Sequence, residues 1–179
     1  TLLRSRAAQP LRELVNARPH VNDAAGSNRA RFFQIRGIGE RGQFSEPLNP
    51  SVGVIIDGVD FSGIGNAATL YDVEQVEILM GPPGTRYGSN ALAGLMNLQT
   101  RAPTDELVYG LQADLANYDG KGLAGYVSGP VTDNLLYRVS VQALKSDGFS
   151  DNLYLNQPTN KRDETTFRGK LSWLLSDDI

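Results

Sequence analysis

The chain has 179 residues, a formal net charge of −3, one His, one Trp, two Met and no Cys. That length holds one ordinary domain, or a domain and part of another, and the missing cysteines exclude disulfides, thiol catalysis and every Cys-based metal site. No apolar run reaches the ~18 residues of a spanning helix, a test blind to β-barrels, and no basic and apolar leader opens the chain, so any signal peptide is expected to be removed or to lie upstream.

Charge is divided unevenly along the chain. Residues 1–104 carry ten Arg and no Lys against nine acids, whereas residues 105–179 carry seven basic and eleven acidic side chains. Neither part is basic enough for a nucleic-acid surface. Exclusive use of Arg in the first part suits directional, multiply bonded polar contacts.

In chain order, Leu11, Leu14 and Val15 share one helical face after Pro10, and Pro19 limits extension, which predicts a short helix over 10–15. A polar stretch, Asn22 to Asn28, precedes a predicted strand at 31–36, ended by Gly37, Gly39 and Gly42. Residues 43–50 read as a loop containing Pro47 and Pro50. Residues 51–57 are β-prone and lead into a turn at Asp57-Gly58. Asp72 is expected to cap one helical turn before a strand at 76–80, which Gly81-Pro-Pro-Gly84 breaks. One helical turn is expected at 91–93, then a strand at 95–100.

From about residue 105 the predicted strands lengthen: 106–117, 122–128, 135–145 and 164–175. In the third, Leu135, Tyr137, Val139, Val141 and Ala143 oppose Arg138, Ser140 and Gln142. In the fourth, Phe167, Leu171, Trp173 and Leu175 oppose Thr166, Arg168, Lys170 and Ser172. A soluble antiparallel sheet alternates in the same way. The connections favour a membrane wall, because Gly129–Asn134 is a short turn and 146–161 a long polar loop, as in outer-membrane barrels. Tyr137 and Trp173 both fall near the short turn, where an aromatic girdle belongs. Four strands cannot close such a barrel, whose open edges would be unsatisfied in hydrocarbon. Further strands are therefore expected, from the rest of a longer chain or from another chain.

Several motifs fail on their mechanics. Gly37-Ile-Gly-Glu-Arg-Gly42 imitates a dinucleotide fingerprint, with Asp57 twenty residues beyond Gly37, but a proline-interrupted loop follows where pyrophosphate needs a helix N-terminus. Gly81 to Gly88 lacks the Gly-Lys-Ser/Thr of a phosphate loop. His20 has no His partner for a metal or a serine nucleophile. Asp57, Asp60, Asp72, Glu74 and Glu77 read as solvated or Arg-paired carboxylates rather than an acid/base pair, and no calcium-loop pattern occurs. No catalytic set, metal site or cofactor is expected.

The ordered series Arg36-Gly-Ile-Gly39, Val54-Ile-Ile-Asp-Gly-Val59 and Val73-Glu-Gln-Val-Glu-Ile-Leu-Met-Gly-Pro-Pro-Gly-Thr-Arg-Tyr-Gly-Ser-Asn-Ala-Leu-Ala-Gly-Leu-Met-Asn-Leu98 closely resembles the plug domain of TonB-dependent outer-membrane receptors, most like the siderophore type. Leu11 to Val21 resembles that family's opening segment, with His20 at the usual glycine, and Gly129-Pro-Val its first periplasmic turn. The resemblance implies an α+β plug domain at 1–104 followed, at 105–179, by the first four antiparallel strands of an incomplete transmembrane β-barrel, 22-stranded in the complete family fold. It further implies a bacterial outer-membrane uptake receptor for a scarce nutrient, best guessed as a ferric siderophore. A TonB-type energy-transducing protein would engage a segment upstream of residue 1, and outer-membrane lipid and the remaining barrel strands would be the other partners.

Ligand contact is assigned by that resemblance to Arg36, Phe61 and Tyr71, with Arg41 and Phe44 on the loop after Glu40 as further candidates. Arg36 would meet an anionic ligand, and the aromatics would supply flat apolar area. Each has a bland alternative: Arg36 holding a turn, Phe61 packing, Tyr71 capping. Gly81, Gly84 and Gly88 are assigned to close turns. Met80 stands where an Arg commonly precedes Gly-Pro, and Arg86 replaces a common Leu and is a candidate plug–barrel contact. The alternatives to a receptor are a component of a split-barrel envelope complex and a soluble β-rich binding module.

Overall fold

A computed structural model describes residues 11–23, 30–42, 47–64, 68–82, 91–148, 150–154 and 157–175. The chain divides into two compact units, Thr1–Thr100 and Arg101–Ile179.

The first unit begins with helix α1 (Leu11–Asn16), where the spacing predicted it. Leu11, Leu14 and Val15 are buried on its inner face. Two short strands, β1 (Val21–Asp23) and β2 (Phe33–Ile35), pair antiparallel. Two of the three β1 residues fall in the polar stretch that starts at Asn22, because a three-residue strand leaves too little pattern to detect. Then come β3 (Val52–Ile56), β4 (Val59–Asp60), β5 (Val73–Met80) and β6 (Gly94–Thr100). They form one mixed sheet in the order β4-β3-β6-β5, with β3 parallel to β6 and β5 antiparallel to it.

The central strands β3 and β6 are buried almost throughout, whereas β4 and β5 carry the exposed edges. This explains why Val-Gly-Val-Ile-Ile and Gly-Leu-Met-Asn-Leu lack a clean alternation: both faces of a central strand are covered. On one face Val54, Met96 and Leu98 meet Leu11, Val15, Phe33 and Ile35. On the other, Ile55, Ala91 and Leu95 form a smaller cluster with Leu79.

Two expectations fail here. Asp72 does not cap a helical turn; it adopts a left-handed conformation with φ 58°, and the strand starts directly at Val73. Nor do Ala91–Ala93 form a helical turn. Their backbone is drawn into the sheet, since the Ala93 N–H donates to Ser51 O at 2.8 Å and Ala93 O accepts from Gly81 N–H at 3.0 Å. Asp57-Gly58 does turn, with φ 49° and 85°, the pair of positive angles required by a two-residue type I′ hairpin. The Asp57 carboxylate then accepts both the backbone N–H and the hydroxyl of Thr100, tying the hairpin to the end of β6.

The second unit is one antiparallel sheet in the order β12-β9-β8-β7. Its strands are β7 (Val108–Ala116), β8 (Gly120–Thr132), β9 (Leu135–Ser146) and β12 (Arg162–Trp173). Between β9 and β12 a small hairpin, β10 (Ser150–Asn152) with β11 (Gln157–Thr159), occupies the predicted long loop. β8 outruns the predicted 122–128. Gly129-Pro-Val is not the turn itself, because the ladder continues through it with a register shift between Pro130 and Thr132, leaving Asp133-Asn134 to turn. A bulge is where a strand tolerates the missing N–H of proline.

Glycine is required where β6 starts. At Gly94, φ is +151° and a Cβ would lie 2.3 Å from Leu79 O and 2.6 Å from Ile35 Cδ1. Gly94→Ala is therefore expected to destabilise the first unit by about 2–4 kcal/mol through strain and overpacking. Gly63→Ala, with nothing within 4 Å, is the matched control. Hydrogen exchange at Leu95 to Leu98 reads the difference, and equal protection in the two variants would contradict the assignment.

Candidate functional site

A strand exposes alternate side chains to opposite faces, so registering four strands stacks their alternations into two surfaces. In the second unit those surfaces are inverted relative to a water-soluble sheet. The polar residues Ser128, Arg138, Ser140 and Gln142 are buried, while Leu111, Leu123, Val141, Phe167, Leu171 and Trp173 are exposed. Leu115 is 87% exposed, Trp173 74% and Phe167 71%. Register places Phe167 beside Val141, Val141 beside Gly125 and Gly125 beside Leu111, so the apolar surface is continuous.

The band has defined ends. Near the Asp133-Asn134 turn lie Trp173 and Tyr137, two register positions apart, on the side expected from sequence. At the far end the outward row is Asp163, Lys145 and Lys121, with Lys145 3.8 Å from Asp163 and Lys121 2.8 Å from Asp119. From Trp173 to Thr165 on β12 is about 27 Å along the strand, or roughly 20 Å after a ~40° tilt, close to the ≈25 Å apolar band of an outer-membrane barrel.

The opposite face is built for polar contact. Ser128 is fully buried; its Oγ accepts the Thr104 N–H at 2.9 Å and donates to Tyr137 O at 2.9 Å. Arg138, 5% exposed, lies 4.5 Å over the Tyr126 ring, a cation–π contact worth more when desolvated. Gly110, directly opposite Tyr126, leaves room for that ring, since a Cβ would fall 2.6 Å from its Cε1. Arg162 pairs with Glu164 at 3.2 Å. The sequence showed the polar face but not these partners, which are set by cross-strand register.

In the first unit Arg36 is exposed at the tip of a tight turn. Ile35 and Ile38 exchange N–H···O bonds of 2.9 and 3.0 Å, the Arg36 N–H donates to His20 O at 2.7 Å, and Arg36 and Gly37 have φ 54° and 78°. The backbone is pinned while the guanidinium projects. Phe61 is half-buried and packs on the core, its N–H bonded to Val54 O at 2.7 Å. Tyr71 is half-buried next to the left-handed Asp72. Arg41 is exposed, and Gly81, with φ 112°, takes the turn after β5.

These residues do not all converge. Tyr71 and Gly81 flank opposite ends of the eight-residue β5, which is itself about 25 Å long at strand rise. Phe44, Gly84, Arg86 and Gly88 lie outside the described residues. Sequence reading missed Glu40, whose Oε1 accepts the N–H and the hydroxyl of Ser51, both at 2.8 Å. A capping carboxylate eleven residues from its partner carries no local signal. Among the described residues no cluster of three His, Cys, Asp or Glu suits a metal, and no helix is long and apolar enough to cross a membrane, which says nothing of a β-barrel.

Comparison with known proteins adds the family. The model of the TonB-dependent Receptor Plug Domain matches residues 1–95. The pesticin receptor of Yersinia pestis is 33% identical over 105 residues, covering 59% of this chain and 15% of that protein. The ferric enterobactin receptor PirA of Pseudomonas aeruginosa is 27% identical over 200 residues, covering 94% and 26% respectively. Among solved structures, the ferric yersiniabactin uptake receptor FyuA of Yersinia pestis superposes with a TM-score of 0.82 at 25% identity, over 98% of this chain and 28% of that one. The pyoverdine outer membrane receptor FpvA of Pseudomonas aeruginosa shares the fold at a TM-score of 0.75 and 18% identity, over 96% and 24%. The chain thus spans roughly a quarter or less of the length of these relatives.

The inverted sheet predicts an asymmetric response to charge. In receptor assembled in lipid, Phe167→Arg or Val141→Arg should each cost about 2–4 kcal/mol, as for cations near the middle of a barrel's lipid face. On a water-facing sheet the same changes would stay within about 0.5 kcal/mol. Urea titration in vesicles distinguishes the two outcomes.

Proposed function

The chain belongs to the TonB-dependent receptor plug family of bacterial outer-membrane proteins, and from that premise we propose that it is the plug, residues 1–104, and the first wall strands, residues 105–179, of a receptor importing a ferric siderophore. The observation that carries this reading is the inverted sheet, whose outward side chains suit hydrocarbon and whose polar side chains suit a hydrated interior. The unpaired outer edges of β7 and β12 among the described residues call for neighbouring strands, because lone edges are unsatisfied in lipid.

The chemistry proposed is binding and transport rather than catalysis. The relatives named as receptors for ferric enterobactin and ferric yersiniabactin support an iron chelate as the ligand class, and the family name supports a TonB-type energy-transducing protein as partner. Arg36 supplies an exposed cation on a pinned backbone for an anionic chelate. Tyr71 and Phe61 offer ring surface, although Phe61 already spends part of its area on the core. Arg41 and Phe44 are the adjoining candidates on the loop after Glu40, and Arg86 remains the proposed plug–barrel contact. Gly81 serves the turn after β5.

Ligand contact is tested by calorimetry on the complete receptor with ferric yersiniabactin and ferric enterobactin. Arg36→Ala is expected to weaken the bound chelate by about 10-fold or more, the loss of a charge-assisted contact. Tyr71→Ala is expected to weaken it less. Unchanged affinity in both variants would remove these residues from the site.

A further inference from the structure

The end of the first unit's sheet where β3 and β6 begin is closed by one unbroken line of hydrogen bonds. Glu40 Oε1 accepts the Ser51 N–H and hydroxyl, Ser51 O accepts the Ala93 N–H at 2.8 Å, and Ala93 O accepts the Gly81 N–H at 3.0 Å. Ser51, Ala93 and Gly81 each stand one residue outside the paired ends of β3, β6 and β5. They form the last rung of the sheet, where fraying begins most readily. Glu40 is the group that closes it.

Glu40 is itself held in place. Its carbonyl accepts from Gln34 Nε2 at 3.4 Å. The preceding Gly39, with φ +152°, lies so close to β2 that a Cβ would fall 2.3 Å from Phe33 O. The carboxylate is thus anchored to β2 on one side and to the start of β3 on the other. Arg41 follows immediately, so the same anchor fixes where its backbone begins.

We infer that Glu40 is a positioning residue that joins the segment carrying Arg41 to the Gly81 turn, so that a displacement at either is felt at the other through Ser51 and Ala93. Its place in ligand recognition rests on the receptor reading above, in which Arg41 is a candidate contact to the chelate. The coupling itself is a property of the unliganded protein. Among the described residues Glu40 Oε2 is buried without a hydrogen-bond partner, so Gln keeps the accepting oxygen and puts its amide nitrogen where no existing bond is lost.

The test is hydrogen exchange on the complete receptor without ligand, following peptides that contain Ser51, Ala93, Gly81 and, at the opposite end of the sheet, Thr100. Glu40→Ala is expected to speed exchange about tenfold at Ser51, Ala93 and Gly81 together, the loss of one or two bonds to a charged group, while Thr100 keeps its rate. Glu40→Gln is expected to restore all three. Acceleration confined to Ser51, an equal rise at Thr100, or no rescue by Gln would each overturn the inference. Because no chelate is present, the result stands apart from whether Arg36 and Tyr71 touch one.

Discussion

The second unit depends on a single constraint: its strands satisfy one another's backbone groups while presenting apolar side chains outward and polar ones to the buried side. In register on the outward face of β7, β8, β9 and β12, eight large apolar side chains are exposed: Tyr109, Leu111, Leu115, Leu123, Val141, Phe167, Leu171 and Trp173. Full burial of one such side chain is worth about 1.5–3 kcal/mol, so leaving all eight in water forfeits on the order of 10–20 kcal/mol. That equals or exceeds the roughly 5–15 kcal/mol that holds a domain folded. A non-aqueous neighbour on that face would recover that contribution to the sheet's stability. The ends of the band agree with it, since Trp173 and Tyr137 lie at one and the Asp163–Lys145–Lys121 row at the other.

The first unit solves a different problem. Its apolar core lies chiefly between α1, β2 and one face of the mixed sheet, and its long connections are held by carboxylates. Glu40 takes the N–H and hydroxyl of Ser51, Asp57 those of Thr100, and Asp60 those of Ser62. Ser62 Oγ in turn accepts the Val54 N–H. Each clamp answers a backbone donor at a strand end or turn with a charged acceptor, so Ser51, Ser62 and Thr100 are held without extra apolar surface.

How much of this was legible in the sequence follows from the range of each signal. The two-residue period of 135–145 and 164–175 named the faces of β9 and β12, because alternation is local and both strands are long. Asp57-Gly58 named a turn, because positive φ at both positions selects those residues. Ala91–Ala93 misled, since helix propensity was outweighed by partners at Ser51 and Gly81 that are remote in sequence. Gly129-Pro-Val misled because a bulge lets the ladder run through a dipeptide that normally ends one. Arg36, at an exposed turn tip, was singled out by family resemblance; its backbone anchor at His20 and the Glu40 clamp depend on tertiary approach and left no local trace.

The clamps also differ from a packed core in how they yield. A core of interlocked side chains opens cooperatively, whereas a carboxylate bonded to one N–H and one hydroxyl contributes about 1–3 kcal/mol and can be released alone. Asp57 acts on Thr100, the last residue of the first unit, and Glu40 acts on the first rung at the other end of the same sheet. Loosening either frees a connection while Val54, Met96 and Leu98 stay packed. A few strong, separable polar joints at the sheet ends therefore hold Ser51 and Thr100 in place without extending the core to reach them.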